Sequence, residues 1–147
     1  MNQWLFLIVL VTCVSYGYGQ DNAEEIQKLK DTIFRGCAKQ FNLEDAAFDD
    51  LYHARSVDKI KDKCVLKCIL DKYGLIKGDK LEAENLSKSL AGHWKDKART
   101  NRIIQATLDC FKKVPEKPDI CAMSYDAFFC FFDVVQKEHT EYGDGSN

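Results

Sequence analysis

The first nineteen residues contain no Asp, Glu, Lys or Arg, in a chain where those residues make up 30% of the total. In their place runs Trp4-Leu5-Phe6-Leu7-Ile8-Val9-Leu10-Val11, followed by Thr12-Cys13-Val14-Ser15 and by Gly17-Tyr18-Gly19. A short apolar core ending in small residues at positions −3 and −1 predicts a signal peptide over residues 1–19, cleaved after Gly19. The run is too short to span a bilayer comfortably, and no second apolar run follows, so no membrane span is expected. Proline is nearly absent too: Pro115 and Pro118 share one loop, and no repeat or low-complexity tract interrupts the chain. That leaves residues 20–147 as a single domain, long enough to bury a core. The net charge of −2 excludes an electrostatic case for nucleic acid. Sustained polar/apolar alternation is missing, which excludes a sheet-built fold and leaves helical spacing throughout.

Export changes the meaning of the cysteines. Cys13 leaves with the signal, and Cys37, Cys64, Cys68, Cys110, Cys121 and Cys130 remain. An even set in an oxidising compartment predicts disulfides. In the cytosol Cys64-x3-Cys68 would read as a zinc ligand pair, but exported thiols are oxidised. With the cysteines bonded, no free thiol nucleophile remains. No His-x-x-x-His or acid–His cluster suggests a metal or a catalytic centre. The expectation is a protein with no enzymatic activity, no cofactor and no metal.

Six helices are predicted. The first runs from about Asn22 to Gln40, with Ile26, Leu29, Ile33 and Phe34 on one face. Asn42 is placed as the cap of the second, which turns Ala46, Ala47, Phe48 and Leu51 inward. Ser56 opens the third, carrying Ile60, Cys64, Cys68 and Leu70 and stopped by Gly74. Asp79-Lys80-Leu81-Glu82 has the form of a capping box, opening a fourth helix with Leu86 and Leu90 that ends near Gly92-His93-Trp94. The fifth runs from about Ala98 to Lys113 and presents Ile103, Ile104, Leu108 and Phe111. Asp119 caps a sixth reaching about Glu138, and the polar end from Thr140 to Asn147 is expected to be loose. Around the sixth helix Tyr125, Phe128, Phe132 and Val135 fall on one side, and Met123, Cys130, Phe131 and Val134 on the other. Asp126, Asp133 and Lys137 share one narrow sector. A helix so apolar must be largely buried, with the others wrapped around it.

Helix geometry restricts the cysteine pairing. Cys64 and Cys68 are one turn apart, with Cβ atoms roughly 5–6 Å apart where a disulfide wants about 3.8 Å. Cys121 and Cys130 are separated by a rise of about 13 Å. Of the fifteen pairings open to six cysteines, these two exclusions leave ten.

The spacing Cys37-x26-Cys64-x3-Cys68-x41-Cys110-x10-Cys121-x8-Cys130 resembles the six-cysteine pattern of insect odorant-binding proteins, the pheromone-binding and general odorant-binding family. The x3 and x8 gaps carry the resemblance most strongly, and it extends over essentially the whole mature chain. It implies an all-α, six-helix, disulfide-stapled shell around an internal apolar pocket. It implies the pairing Cys37–Cys68, Cys64–Cys121 and Cys110–Cys130, one of the ten. It also implies a secreted carrier that reversibly binds small hydrophobic ligands such as odorants and moves them through aqueous lymph. The residue after the sixth cysteine lines the pocket in relatives, and here it is Phe131. The polar end, Glu141 to Asn147, is unlike the apolar tail that some moth members insert into the pocket at low pH.

For such a pocket the ligand-binding candidates are Phe128, Phe131, Val134 and Val135 on the sixth helix, then Leu70, Tyr73, Leu75, Leu90 and Trp94. Plain core packing would explain each of them as well. Tyr73, Tyr125 and Trp94 are the candidates for a hydrogen bond to the ligand. His53, His93 and His139 read as surface residues, with His93 beside Trp94 the candidate for a pH-dependent role. Asn85-Leu86-Ser87 is an N-glycosylation sequon, placed here in a helix where an acceptor is less accessible. The expected partners are a small hydrophobic ligand and a chemosensory receptor, with the protein a monomer or weak homodimer. The alternative is a non-olfactory secreted protein on the same scaffold, a general lipophilic carrier or one acting through protein contact. Its discriminating marks would be a filled interior and an exposed apolar patch.

Overall fold

The computed structural model describes residues 24–142; the expected signal peptide, its cleavage point and the last five residues lie outside them. Helix α1 covers residues 24–40. It is followed by α2 (Asp45–Tyr52), α3 (Cys64–Lys72), a hairpin of β1 (Ile76–Lys77) and β2 (Lys80–Leu81), a single 3₁₀ turn (Ala83–Asn85), α4 (Leu86–Leu90), α5 (Lys97–Lys113) and α6 (Ile120–Tyr142). Helix α6 packs against both α3 and α5, and α4 packs on α5. The fold is all-α, with the sixth helix at its centre.

The helix ends follow from their own residues. At the end of α1, Asn42 adopts φ 50°, and the N–H groups of Asn42 and Leu43 donate back to the Lys39 and Ala38 carbonyls at 3.4 and 2.9 Å. This is a left-handed terminator, which Asn tolerates better than most side chains. Asn42 therefore closes α1 and does not cap α2, whose first turn has no side-chain cap. Gly74 plays the same part after α3: its φ is 73°, and Leu75 N–H reaches the Leu70 carbonyl at 2.9 Å. A Cβ added there would stand 3.2 Å from Asn85 Nδ2. Asp96 caps α5 by accepting from the Ala98 and Arg99 N–H groups, and the Asp119 carboxylate accepts from Cys121 N–H at 2.9 Å at the start of α6.

Four further expectations change. The third helix begins at Cys64, not Ser56; the Ser56 hydroxyl instead accepts from Asp58 N–H in a turn, and Ile60 is buried from that turn. The capping box at Asp79 is a hairpin, with Ile76 opposite Leu81 and Lys77 opposite Lys80. Gly78, at φ 64°, supplies the positive φ that a tight two-residue connection requires. Helix α4 ends at Leu90, before Gly92-His93-Trp94. Helix α6 continues beyond Glu138 to Tyr142, because Glu138 is itself buried against α5, where Arg102 Nη2 pairs with it at 2.6 Å. Two inward assignments also fail: Leu29 is 53% exposed, and Ala46 faces solvent.

Three disulfides tie the helices together: Cys37–Cys68 joins α1 to α3, Cys64–Cys121 joins α3 to α6, and Cys110–Cys130 joins α5 to α6. Their Cα separations are 5.9, 4.6 and 6.0 Å, inside the ordinary range for disulfides. Cys64 and Cys68, one turn apart, point to different helices, so the pair is not a metal-ligand pair.

Candidate functional site

The helices do not close on a solid centre. Between the six helices lies a cavity of about 140 Å³, partly open to solvent. Helix α6 supplies its longest wall, through Ala127, Phe128, Phe131, Phe132 and Val135. At about 100° per residue these five positions fall within one arc of about 140°, a single face of the helix. Phe128 and Phe132 meet edge to face with ring centroids 5.7 Å apart, a favourable aromatic geometry. The opposite walls come from Phe34 on α1, Leu51 on α2, Ile69 and Leu70 on α3, Leu75 before the hairpin, Leu86 and Leu90 on α4 and Phe111 on α5, with Trp94 in the loop before α5.

Of the sequence candidates, Phe128, Phe131, Val135, Leu70, Tyr73, Leu75, Leu90 and Trp94 all line this cavity. Val134 does not: it is half-buried away from it. On α6 it falls just outside the cavity arc, on the flank it shares with Cys130, which the Cys110 disulfide turns toward α5. Tyr125, a candidate hydrogen-bonder, also lies off the cavity, its ring under the Lys63 ammonium at 4.5 Å. The helical spacing had already marked Phe34, Leu51, Leu86, Phe111 and Phe132 as inward. Spacing cannot separate a cavity wall from filled core, so these were not identified as site residues.

The polar part of the wall is gathered on one side, at Lys30, Tyr52, Tyr73, Ser89 and His93, all half-buried. Lys30 is the one residue here for which the sequence held an unread signal. It stands on the same helical stripe as Ile26, Ile33 and Phe34, an interior position for a charged side chain. Its ammonium lies 4.2 Å from the centre of the Tyr52 ring, a cation–π contact. Burial pulls its pKa below the usual lysine range, against the opposing pull of Asp31. The Tyr52 hydroxyl is engaged, donating to Asp31 and accepting from Gln27 Nε2. Burial pushes the Tyr73 phenol up to about 12, so it stays a neutral donor. Ser89 Oγ donates to the Asn85 carbonyl at 2.9 Å and lies 3.2 Å from that of Tyr73.

His93 is not a surface residue. It is half-buried in the cavity wall beside Trp94, ring centroids 5.9 Å apart. Burial lowers its pKa, a hydrogen bond with the Ser89 backbone opposes that, and Lys30 adds to the lowering. His53 and His139 are exposed. Asn85 of the sequon is exposed and sits in the 3₁₀ turn, with Nδ2 donating to the Gly74 carbonyl at 3.0 Å.

Chemically, the site is a partly open apolar hollow with a cation and neutral donors on one side. It can take up the apolar body of a small molecule and orient one polar group. No described helix is long and apolar enough to cross a membrane. No curated protein matches the sequence. A model of the PBP/GOBP family matches residues 19–134, a span that holds all six disulfide cysteines and every residue of the cavity wall except Val135. The chain therefore belongs to the PBP/GOBP family, the insect odorant-binding proteins.

Proposed function

We propose that this protein is a secreted carrier, residues 20–147 after removal of the signal peptide, that reversibly binds small hydrophobic molecules of the odorant or pheromone type and moves them through aqueous lymph. The observation that carries this reading is the apolar cavity against α6. A domain stapled by three disulfides has little need of an unfilled centre for stability, since unfilled volume forfeits packing energy. Ligand burial supplies the driving force, roughly 25 cal/mol for each Å² of apolar surface removed from water.

The size of the cavity bears on the ligand. About 140 Å³ is close to the roughly 150 Å³ hollow that admits benzene. Monocyclic or six- to eight-carbon molecules match it without rearrangement, and longer chains require the half-buried Trp94, Phe131 or Leu90 side chains to move. Action through an exposed apolar surface finds less support. Among the described residues the large exposed apolar side chains are Leu29 and Phe129, one on α1 and one on α6, and they form no patch of the size that marks a docking surface. The reading is tested by displacement of a fluorescent apolar probe from the oxidised protein. Displacement by small alcohols, esters or aldehydes supports it; failure of all of them to bind refutes it.

A further inference from the structure

The wall of the cavity carries one cation, Lys30, and no carboxylate lies beside it among the described lining residues. Among the described residues its ammonium makes no ion pair, and Asp31 acts on it only through space; it is held at the wall by the Tyr52 ring at 4.2 Å and the Phe34 ring at 5.7 Å. The neighbouring carboxylate, Asp31, is engaged by the Tyr52 hydroxyl. Nearby, the Tyr73 phenol makes no hydrogen bond among the described residues. A half-buried cation in an apolar wall is unfavourable unless something compensates it.

We propose that the cavity selects small amphiphiles ending in a carboxylate, with the Lys30 ammonium and the Tyr73 phenol receiving the head group and the α6 aromatic wall receiving the apolar body. This rests on the carrier reading and narrows it to a ligand class. The groups facing Lys30 fit that assignment from each element around it. Asp31 on α1 is occupied, Tyr52 on α2 offers a ring face, Tyr73 on α3 is a donor, and His93 in the loop before α5 favours its neutral form. Among the described residues no carboxylate lines the wall to repel an incoming one, while an alcohol or ester head brings no counter-charge to the ammonium. Charge-assisted hydrogen bonds are about twice as strong as neutral ones.

The test compares hexanoate with hexan-1-ol, which share an apolar body of a size the cavity accepts and differ in the head group. Trp94 lies in the cavity wall, so its fluorescence reports occupancy, with calorimetry as a second readout. At about pH 7.5 the oxidised protein is expected to bind hexanoate about tenfold or more tightly than hexan-1-ol, the scale of one hydrogen bond to a charged group. Lys30→Met should abolish that preference, while Lys30→Arg, which keeps the charge, should retain it. A wild-type protein with no preference, or a preference unchanged in Lys30→Met, overturns the head-group assignment and leaves the carrier reading intact. Binding of neither compound overturns both. A measurement on the wild type needs no variant to fold: burial holds the Lys30 pKa below the usual lysine value, so raising the pH from about 7.5 to about 10.5 removes its proton from a growing share of the molecules, while hexanoate stays ionised and Tyr73, at about 12, stays protonated. The preference should fall steadily over that range, and a preference that does not change with pH overturns the assignment.

Discussion

Filling the cavity should separate binding from stability. Ala127 is fully buried on α6 and lines the cavity. Ala127→Leu adds three carbon atoms at that wall, and the hollow of about 140 Å³ has room for them. At about 0.8 kcal/mol for each buried CH₂, the new side chain contributes up to about 2.4 kcal/mol of stability. Imperfect fit costs about 1–3 kcal/mol, so the two nearly cancel and the variant stays folded. The ligand has no such offset. Space for about three of its methylenes is gone, and the same about 2.4 kcal/mol corresponds to about 60-fold weaker binding. The assay pairs a urea melt with a titration of hexan-1-ol followed by Trp94 fluorescence. Val134→Ala serves as the control, since Val134 lies off the cavity wall, and it should leave the dissociation constant unchanged. A folded Ala127→Leu protein that binds hexan-1-ol within about threefold of wild type would refute the assignment of this cavity as the binding site.

Three further outcomes are expected. The disulfides close loops with sequence separations of 57, 31 and 20 residues for Cys64–Cys121, Cys37–Cys68 and Cys110–Cys130. Chain entropy then assigns them about 4.2, 3.7 and 3.3 kcal/mol, so paired Cys→Ser variants should lose stability in that order in urea melts; a reversed order would refute loop entropy as the dominant contribution. Asp96→Ala removes the carboxylate that accepts from the Ala98 and Arg99 N–H groups at the start of α5, and should cost about 1 kcal/mol in the same assay. His93 has its folded-state pKa lowered below 6.5, chiefly by burial. Below that value the unfolded chain binds a proton that folded His93 resists. Stability is therefore complete above pH 6.5 and declines as the pH falls toward the folded-state pKa, levelling off below it. His93→Gln should make the urea midpoint less sensitive to pH between about 7.5 and 5; an unchanged slope would show that the acid-side loss arises elsewhere.

Much of this architecture was legible in the residues because local physics specifies it. Gly74 as a helix stop, Asp119 as a cap and the burial of α6 each depend on a few neighbouring side chains or on one helix's own periodicity. The spacing of the six cysteines carried the family and, through it, the pairing that the structure forms. Where local signals compete, the reading went astray. Asp79-Lys80-Leu81-Glu82 satisfies the pattern of a capping box, yet Gly78 and the pairing of Ile76 with Leu81 make it a hairpin. Asn42 is acceptable both as a cap and in the left-handed region, and the carbonyls of Lys39 and Ala38 at the end of α1 claim it.

What the sequence by itself determined is therefore the helical shell, its cysteine framework and a central helix apolar around most of its circumference. Only the tertiary structure decided which part of that circumference faces a hollow. Periodicity orients a side chain about its own helix axis and is silent on what stands opposite. For α6, where nearly every direction is apolar, Phe131 and Val134 are equally plausible until α3 and α5 are bonded in place. The cation in the wall shows the same limit. Lys30 is one of many lysines in the chain, and it becomes part of a site only because Tyr52, Tyr73 and His93, from three other segments, enclose the same space.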